Sequence, residues 1–342
     1  MIPAGTRAFI CGCEGTSLSA AERDFITRAK PFGLILFARN IDNPDQVRAL
    51  IAEFRRLVGS AHAPVFIDQE GGRVQRLRPP HWRAYPPGSA YGALYARDPL
   101  AAFKAARAVN WLLADELMAL GINADCLPVL DVPVEGSHEI IGDRAYARDP
   151  QVAALLARAA SAGLAAAGVA TVIKHIPGHG RARADSHKEL PVVDATLEEL
   201  RAHDFLPFAA LADAPMAMTA HVVYTALDAS APATTSRTVI EEVIRGELGF
   251  NGLLMSDDLN MEALSGSLAA RAQAVFAAGC DLALHCSGKL AEMEEVAAHA
   301  PVLSGAALRR AQAACALMNR PIGLPPAREE AQTWRERLLA LA

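Results

Sequence analysis

The feature that most constrains the fold is a regular alternation of short apolar segments with longer helical ones. Apolar runs of strand length bounded by turn residues predict buried strands, and strands that alternate with helices predict a parallel sheet. No linker rich in glycine, proline or serine divides the series. The predicted strands lie within residues 8–13, 33–37, 64–67, 122–132, 169–173, 215–223, 252–255 and 281–284.

Eight strand–helix units in 342 residues predict an α/β protein built as a single (β/α)8 TIM barrel. We expect one catalytic domain over residues 1–342, with helices of about 303–342 packed on its outside. A doubly wound sheet is the alternative, and it requires a glycine-rich phosphate-binding turn after the first strand. Gly12 and Gly15 do not form such a GxGxxG turn, which favours the barrel.

Composition and charge exclude several classes of protein. Hydrophobic residues make up 52% of the chain and charged residues 21%, which supports a sizeable core and argues against disorder. The net charge is −5 and no basic block is present, so we expect no nucleic-acid partner. No apolar run reaches the roughly 18 residues of a membrane span, and the N-terminus lacks a signal core. We therefore expect no membrane partner and a soluble, cytoplasmic monomer or weak homodimer.

The six cysteines do not indicate a disulfide framework in a chain of this length. Cys11 and Cys13 are two residues apart, but no second pair completes a zinc site. Free thiols are typical of a reducing compartment, which agrees with a cytoplasmic location.

The segment 174–187 concentrates polar chemistry at the end of a predicted strand. Lys174 and His175 follow the apolar run 169–173, and Asp185 and His187 lie on the loop beyond it. Residues two apart on an extended segment point the same way, so the last two are expected to meet. A carboxylate beside an imidazole orients it and raises its basicity, which suits a general acid/base.

Other polar residues follow the remaining strands, on the face where barrels carry their active sites. They are Asp68, Asp131, His221, Asp257 and His285. We interpret Asp131 and His285 as structural polar groups. Asp257 and Asp258 are adjacent, so only one of them is expected to face the barrel axis.

An aspartate on a rigid strand end suits a nucleophile or a stabiliser of a cationic centre. Arg76, Arg144 and Lys174 would hold the hydroxyls or carboxylates of a polar substrate. This combination favours a sugar substrate. Most retaining glycosidases use two carboxylates, whereas here the proton donor would be His187, backed by Asp185.

Five motifs together resemble the bacterial single-domain β-N-acetylhexosaminidases of glycoside hydrolase family 3. They occur in the family's order and span most of the chain. They are DQEGGRVQR at 68–76, IGDR at 141–144, KHIPGHG at 174–180, DSH at 185–187 and SDDLNM at 256–261. Ile176 replaces the usual phenylalanine, and residues 181–184 differ from many members.

The resemblance implies a retaining hydrolase on a (β/α)8 barrel that needs no metal or other cofactor. It implies Asp257 as nucleophile and His187 as acid/base, with Asp185 as its partner. The implied substrate-binding residues are Asp68, Arg76, Arg144, Lys174, His175 and Met261. The implied reaction removes terminal N-acetylglucosamine from muropeptides in the cytoplasm, during peptidoglycan recycling.

Three alternatives stay open. A metallohydrolase could bind zinc through His175, His179, His187 and Asp185, although the loop lacks the i, i+4 spacing of HExxH. A phosphorylase would use the same residues with phosphate in place of water. A binding-only barrel would show sugar affinity without turnover. Chelator sensitivity, release of a sugar 1-phosphate and turnover separate them.

Overall fold

The computed structural model describes residues 2–186 and 189–342, and its centre is a closed barrel of eight parallel strands. Each strand pairs with the next one along the chain, and the last pairs with the first, which confirms the predicted (β/α)8 barrel. The strands are β1 (Arg7–Cys11), β2 (Pro31–Leu36), β3 (Val65–Ile67), β4 (Ala124–Asp125), β5 (Ala170–Ile176), β6 (Met216–Thr219), β7 (Leu253–Asp258) and β8 (Leu282–His285).

The barrel interior is a packed core. All seven residues of β5 are buried, as expected for a parallel strand that is covered on both faces. Side chains such as Ile10, Phe66, Met216 and Leu282 meet in one cluster inside the barrel. The polar residues that follow the strands therefore stand on a rigid support.

Helices separate the strands, largely where the sequence predicts them. Their bounds are Ala20–Ala29, Pro44–Val58, Gly88–Tyr95, Pro99–Leu120, Pro150–Ala167, Leu268–Ala278 and Leu290–His299. Two further segments contain wider π-helical turns, Leu200–Asp204 between Leu197–Glu199 and Phe205–Ala210, and Val239–Glu247. The helix Gly88–Tyr95 was not predicted. None of the described helices is long and apolar enough to cross a membrane.

Sequence-encoded caps fix where the first helices begin. The Ser19 hydroxyl accepts a hydrogen bond from the Glu22 amide, and the Glu22 carboxylate accepts one from the Ser19 amide. These two reciprocal hydrogen bonds form a capping box. At the helix Pro44–Val58 the Asn43 side-chain oxygen accepts hydrogen bonds from the amides of Asp45 and Gln46. Such a cap contributes about 1 kcal/mol to helix stability.

Two C-terminal helices follow the last unit. The helix Gly305–Leu317 directs Ala311 and Ala314 into the interior cluster of the barrel. The helix Arg328–Leu339 lies outside, against the helix Pro99–Leu120. The assignment of residues 1–342 to one catalytic domain stays a prediction.

A small hairpin projects from the C-terminal end of the barrel after β3. Its strands, Gln69–Gly71 and Val74–Gln75, are antiparallel. Gly71 and Gly72 have φ values of +96° and +56°, and a Cβ on Gly71 would lie 2.2 Å from the Pro86 carbonyl oxygen. Only glycine tolerates that approach at positive φ. The two glycines therefore fix the turn between Glu70 and Arg73.

Candidate active site

A cavity of about 340 Å³ opens at the C-terminal ends of the barrel strands. Cavities of roughly 300–1,000 Å³ commonly hold small-molecule ligands. Seven of the nine predicted site residues line it, namely Asp68, Arg76, Arg144, Lys174, His175, Asp257 and Met261. The structure thus brings together residues that are up to 193 positions apart in the sequence, from Asp68 to Met261.

Lys174 is a buried cation between two carboxylates. Its Nζ lies 2.8 Å from Asp68 Oδ1 and 2.6 Å from Glu70 Oε1, and its side chain is 2% exposed. Burial would lower the pKa of the Lys174 ammonium, but the two carboxylates raise it above its usual value. Burial likewise would raise the pKa of Asp68, but Lys174 and Arg76 hold it well below its usual range. Both groups are therefore charged at neutral pH.

Arg144 grips Glu70 with two parallel hydrogen bonds. Its Nε and one terminal nitrogen lie 2.8 and 2.9 Å from the two carboxylate oxygens of Glu70. Burial would raise the pKa of Glu70, but Arg144 and Lys174 lower it to about 2. The sequence prediction quoted Glu70 within its motif but gave it no role. The signal was its i, i+2 spacing from Asp68, which places both carboxylates on one side of an extended segment.

Arg76 approaches the cavity from the second strand of the hairpin. One terminal nitrogen lies 3.0 Å from Asp68 Oδ2, and the guanidinium lies 5.2 Å from the Phe37 ring centre. The Gln69 side-chain oxygen accepts a hydrogen bond from the Arg76 amide. Within the described part of the chain, the buried Nε of Arg76 has no acceptor. The Arg76 side chain is 28% exposed and forms part of the cavity wall.

Asp131 is a buried carboxylate with both oxygens hydrogen-bonded, which agrees with its interpretation as a structural polar group, and its partner is His175. Asp131 Oδ2 lies 2.6 Å from His175 Nδ1, and Oδ1 accepts hydrogen bonds from the amides of His175 and His179. Burial would raise the pKa of Asp131, but the two histidines lower it to about 2. In a neutral His175 ring, an ionised Asp131 favours the tautomer with the proton on Nδ1, in which Nε2 is the acceptor.

The two adjacent aspartates at the end of β7 both contribute to the cavity wall, although side-chain alternation predicted only one. Asp257 Oδ1 accepts a hydrogen bond from the Asp258 amide at 2.8 Å. Asp258 Oδ1 accepts hydrogen bonds from the amides of Asn260 and Cys286. Burial raises the pKa of Asp258 to about 6, and the neighbouring Asp257 adds to the rise. The two carboxyl groups therefore differ in environment.

The segment that follows β7 carries Met261, which is buried against the cavity. The Arg271 guanidinium donates hydrogen bonds to the carbonyls of Leu259 and Met261 and so holds this segment. His221 lies 3.0 Å from the Asp258 carbonyl oxygen and 2.7 Å from the Thr234 hydroxyl. His221 thus supports the end of β7.

His285 is buried at the end of β8, with Nε2 3.0 Å from the Ser287 hydroxyl. Burial lowers the pKa of His285 to about 4, so the ring is neutral at neutral pH. These contacts agree with the predicted structural role.

The loop after β5 carries the predicted acid/base pair. Asp185 is partly buried on this loop, whereas His187 lies outside the described residues, so their predicted contact stays a prediction. Ser186 Oγ lies 3.0 Å from His179 Nε2, and both residues line the cavity. Burial, together with His175, lowers the pKa of His179 to about 4, so its ring is neutral at neutral pH. The hydrogen bond holds the loop beside the cavity.

The base of the same loop is packed tightly. A Cβ on Gly180 would lie 2.1 Å from the Val132 carbonyl oxygen. The Arg181 guanidinium lies 2.5 Å from the buried Asp204 carboxylate. The segment 181–184 thus includes an anchor for the loop.

No group of three or more histidine, cysteine, aspartate or glutamate side chains has the arrangement of a metal site within residues 2–186 and 189–342. The ligand set of the zinc alternative includes His187, which lies outside those ranges.

Comparison with known proteins identifies relatives of the chain. The glycosyl hydrolase family 3 N-terminal domain matches residues 12–313. A beta-hexosaminidase from Bordetella avium is 43% identical over 277 residues, which cover 80% of this chain and 78% of that protein. A beta-hexosaminidase from Alkalilimnicola ehrlichii is 44% identical over 282 residues, covering 81% and 79% of the two chains.

Solved structures agree with this result. NagZ from Neisseria gonorrhoeae, in complex with N-trifluoroacetyl-D-glucosamine, superposes with a TM-score of 0.85 at 30% identity and covers 100% of this chain and 98% of that one. A glycoside hydrolase family 3 β-N-acetylglucosaminidase from a Paenibacillus species gives 0.85 at 31% identity, with coverage of 98% and 67%.

Proposed function

The chain belongs to glycosyl hydrolase family 3 and is a β-N-acetylhexosaminidase, and we propose that it is a retaining, exo-acting β-N-acetylglucosaminidase. Its proposed natural substrate is a muropeptide that carries a terminal N-acetylglucosamine, processed in the cytoplasm during peptidoglycan recycling. The observation that supports the proposal most strongly is that Asp257 lines the same cavity as the charged residues Asp68, Arg76, Arg144 and Lys174. The binding of N-trifluoroacetyl-D-glucosamine by the relative from Neisseria gonorrhoeae supports the sugar assignment.

The proposed binding site holds the sugar by charged groups that are already in place. Ionised Asp68, fixed by Lys174 and Arg76, would accept hydrogen bonds from sugar hydroxyls. The Arg76 guanidinium and Nε2 of His175 would add a donor and an acceptor. Arg144 and Met261 complete the wall. Because these groups are ordered before the sugar binds, little reorganisation is needed on binding.

The proposed mechanism has two displacements at the anomeric carbon. In the first, the Asp257 carboxylate forms a glycosyl ester while the bond to the leaving-group oxygen breaks, and His187 gives its proton to that oxygen. In the second, His187 takes a proton from water as the water oxygen attacks the anomeric carbon and Asp257 leaves. Two inversions give net retention. Asp185 is proposed to orient His187 and to favour its protonated form.

Turnover of an aryl β-N-acetylglucosaminide tests this function. The purified protein is expected to hydrolyse it far faster than the matching aryl β-glucoside, because the site is proposed to select the acetamido sugar. Equal rates on the two glycosides would contradict the substrate assignment.

Three further readouts separate the alternatives. Activity that survives a strong chelator would argue against the zinc enzyme. Release of N-acetylglucosamine rather than a sugar 1-phosphate in phosphate buffer would exclude the phosphorylase. Binding without turnover would leave only the binding-only barrel.

The proposed partner is the muropeptide substrate alone, with no nucleic acid, membrane, metal or other cofactor. We also propose a monomer or a weak homodimer. Sedimentation at several protein concentrations tests this assignment.

A further inference from the structure

Arg73 lies at the tip of the hairpin and contacts a second loop of the active site. Its Nε lies 2.8 Å from Asp143 Oδ1. One terminal nitrogen lies 2.7, 2.7 and 3.2 Å from the carbonyl oxygens of Glu139, Ile140 and Ile141. A single guanidinium thus contacts three consecutive carbonyls and a carboxylate of the segment 139–143.

The segment that Arg73 holds leads directly to Arg144. Arg144 reaches back to the hairpin, where it grips Glu70. It also contacts the Ile140 carbonyl oxygen at 3.2 Å, which is one of the acceptors used by Arg73. The hairpin and the segment 139–144 are therefore joined by two arginines that run in opposite directions.

The same segment forms part of the cavity wall. Ile140 and Ile141 line the cavity, as does Arg73 itself. Gly142 adopts a positive φ of +45°, and a Cβ there would lie 2.9 Å from a Glu139 carboxylate oxygen. The local backbone is tightly folded around the guanidinium, so a change at Arg73 is expected to displace the wall rather than one side chain.

We propose that Arg73 is a positioning residue that sets the location of Arg144 and of the Ile140–Ile141 wall relative to the Asp68–Glu70 pair. The inference rests on the proposed function, since it assigns a role to the site that binds the sugar. Arg73 acts through these groups and transfers no proton. It determines how tightly the sugar is held in the ground state and in the transition state alike.

The chemistry requires a guanidinium. Its fixed fork presents five N–H donors, so it can satisfy Asp143 and the carbonyls at the same time. An ammonium has three donors around one point and cannot span both. Lysine at this position should therefore restore only part of the effect.

The test compares Arg73→Ala and Arg73→Lys with the wild-type protein on an aryl β-N-acetylglucosaminide. For Arg73→Ala we expect KM to rise about tenfold or more with a small change in kcat, since uniform binding of ground and transition states is lost. The KM of Arg73→Lys should lie between those of the wild type and Arg73→Ala. Added ethylguanidinium should restore part of the affinity of Arg73→Ala, which a defect in folding would not allow.

Arg158→Ala is the matched control. Its side chain is 46% exposed, compared with 44% for Arg73, and it pairs with Asp213. It does not line the cavity. We expect its KM and kcat to equal those of the wild type.

A double-mutant cycle tests the contact itself. Asp143→Ala should raise KM by less than Arg73→Ala, and the double variant should resemble Arg73→Ala, because both changes break one cluster. Fully additive effects would contradict the inference.

Two outcomes separate this inference from the proposed function. If the wild type is active and Arg73→Ala has an unchanged KM, or loses only kcat, the positioning role is refuted while the function stands. If the wild type shows no turnover, the proposed function fails. The comparison then moves to the affinity for N-acetylglucosamine, where an Arg73→Ala protein that binds as tightly as wild type refutes the inference.

Discussion

Replacing Lys174 by methionine should destabilise the protein in a pH-dependent manner. The substitution keeps most of the apolar stem of the buried side chain but removes the cation that lies between Asp68 and Glu70. Asp68 retains Arg76, and Glu70 retains Arg144. The two carboxylates would then repel each other with no charge between them.

The expected loss of folding free energy follows from the lowered pKa of Glu70. The ordinary pKa of Glu70 is 4.5 and its environment lowers it to about 2, a difference that corresponds to about 3 kcal/mol of folding free energy at neutral pH. Arg144 and Lys174 share that stabilisation. Breaking a buried ion pair by removing one partner typically costs about 3–5 kcal/mol. Because one arginine remains on each carboxylate, we expect a loss of about 3 kcal/mol at pH 7.

The stability lost in Lys174→Met should also depend on pH. In the wild type the lowered pKa of Glu70 stabilises the fold fully above pH 4.5, and this contribution is lost as the pH falls through about 2. It is therefore constant between pH 7 and pH 5. In Lys174→Met, Asp68 and Glu70 lose the ammonium between them. Burial should then raise their pKa values above those of the unfolded chain. The ionised carboxylates then destabilise the fold at pH 7 and become neutral as the pH falls. The difference in unfolding free energy between the wild type and Lys174→Met should therefore be smaller at pH 5 than at pH 7.

Urea unfolding at pH 7 and pH 5, followed by tryptophan fluorescence, measures both effects. Lys104→Met is the control, since Lys104 is exposed on the helix Pro99–Leu120. It should change stability by less than about 0.5 kcal/mol at either pH. A Lys174→Met protein as stable as this control would show that Lys174 does not stabilise the Asp68–Glu70 pair. A loss of unfolding free energy that grows as the pH falls would show the same.

Two further predictions concern the histidines. Asp131→Asn should lower kcat/KM about tenfold or more while the protein stays folded, because an amide favours the wrong His175 tautomer; kinetics equal to wild type would show that the Asp131–His175 bond is only structural. His187→Ala should slow substrates with poor leaving groups far more than aryl substrates with good ones, and Asp185→Ala should act similarly but more weakly. Equal losses on both substrate types would assign His187 to sugar binding, and a larger loss in Glu189→Ala would move the acid/base role to Glu189.

The barrel could be predicted because nearly every strand lies within an apolar run, although β4 itself spans only Ala124–Asp125. The helix Gly88–Tyr95 could not, since it contains two glycines and begins in a proline-rich segment. Tertiary contacts explain why it forms. A Cβ on Gly88 would lie 2.2 Å from the Arg144 carbonyl oxygen, and one on Gly92 would lie 2.1 Å from that of Tyr146. The helix packs on the segment after Arg144, and only glycine permits that approach.

The site was predictable only as a set of residues at strand ends. That rule placed Lys174 and Asp257 on one face, and the structure places both in the cavity. It could not show that Glu70 pairs with Arg144, because 74 positions separate them and the contact depends on how two loops meet. The contact between Asp131 and His175 was missed for the same reason. A buried aspartate has the same sequence pattern whether it stabilises the fold or orients a histidine.

The central claim is that Asp257 carries the sugar through a covalent intermediate. The most direct measurement is mass spectrometry of the protein after reaction with a slow fluorinated glycoside, followed by peptide mapping. We expect one added glycosyl group on Asp257 and no adduct in Asp257→Asn. Asp258→Asn should still form the adduct, because its amide oxygen can keep the hydrogen bonds from Asn260 and Cys286. An adduct on Asp258 or on a glutamate would contradict the central claim.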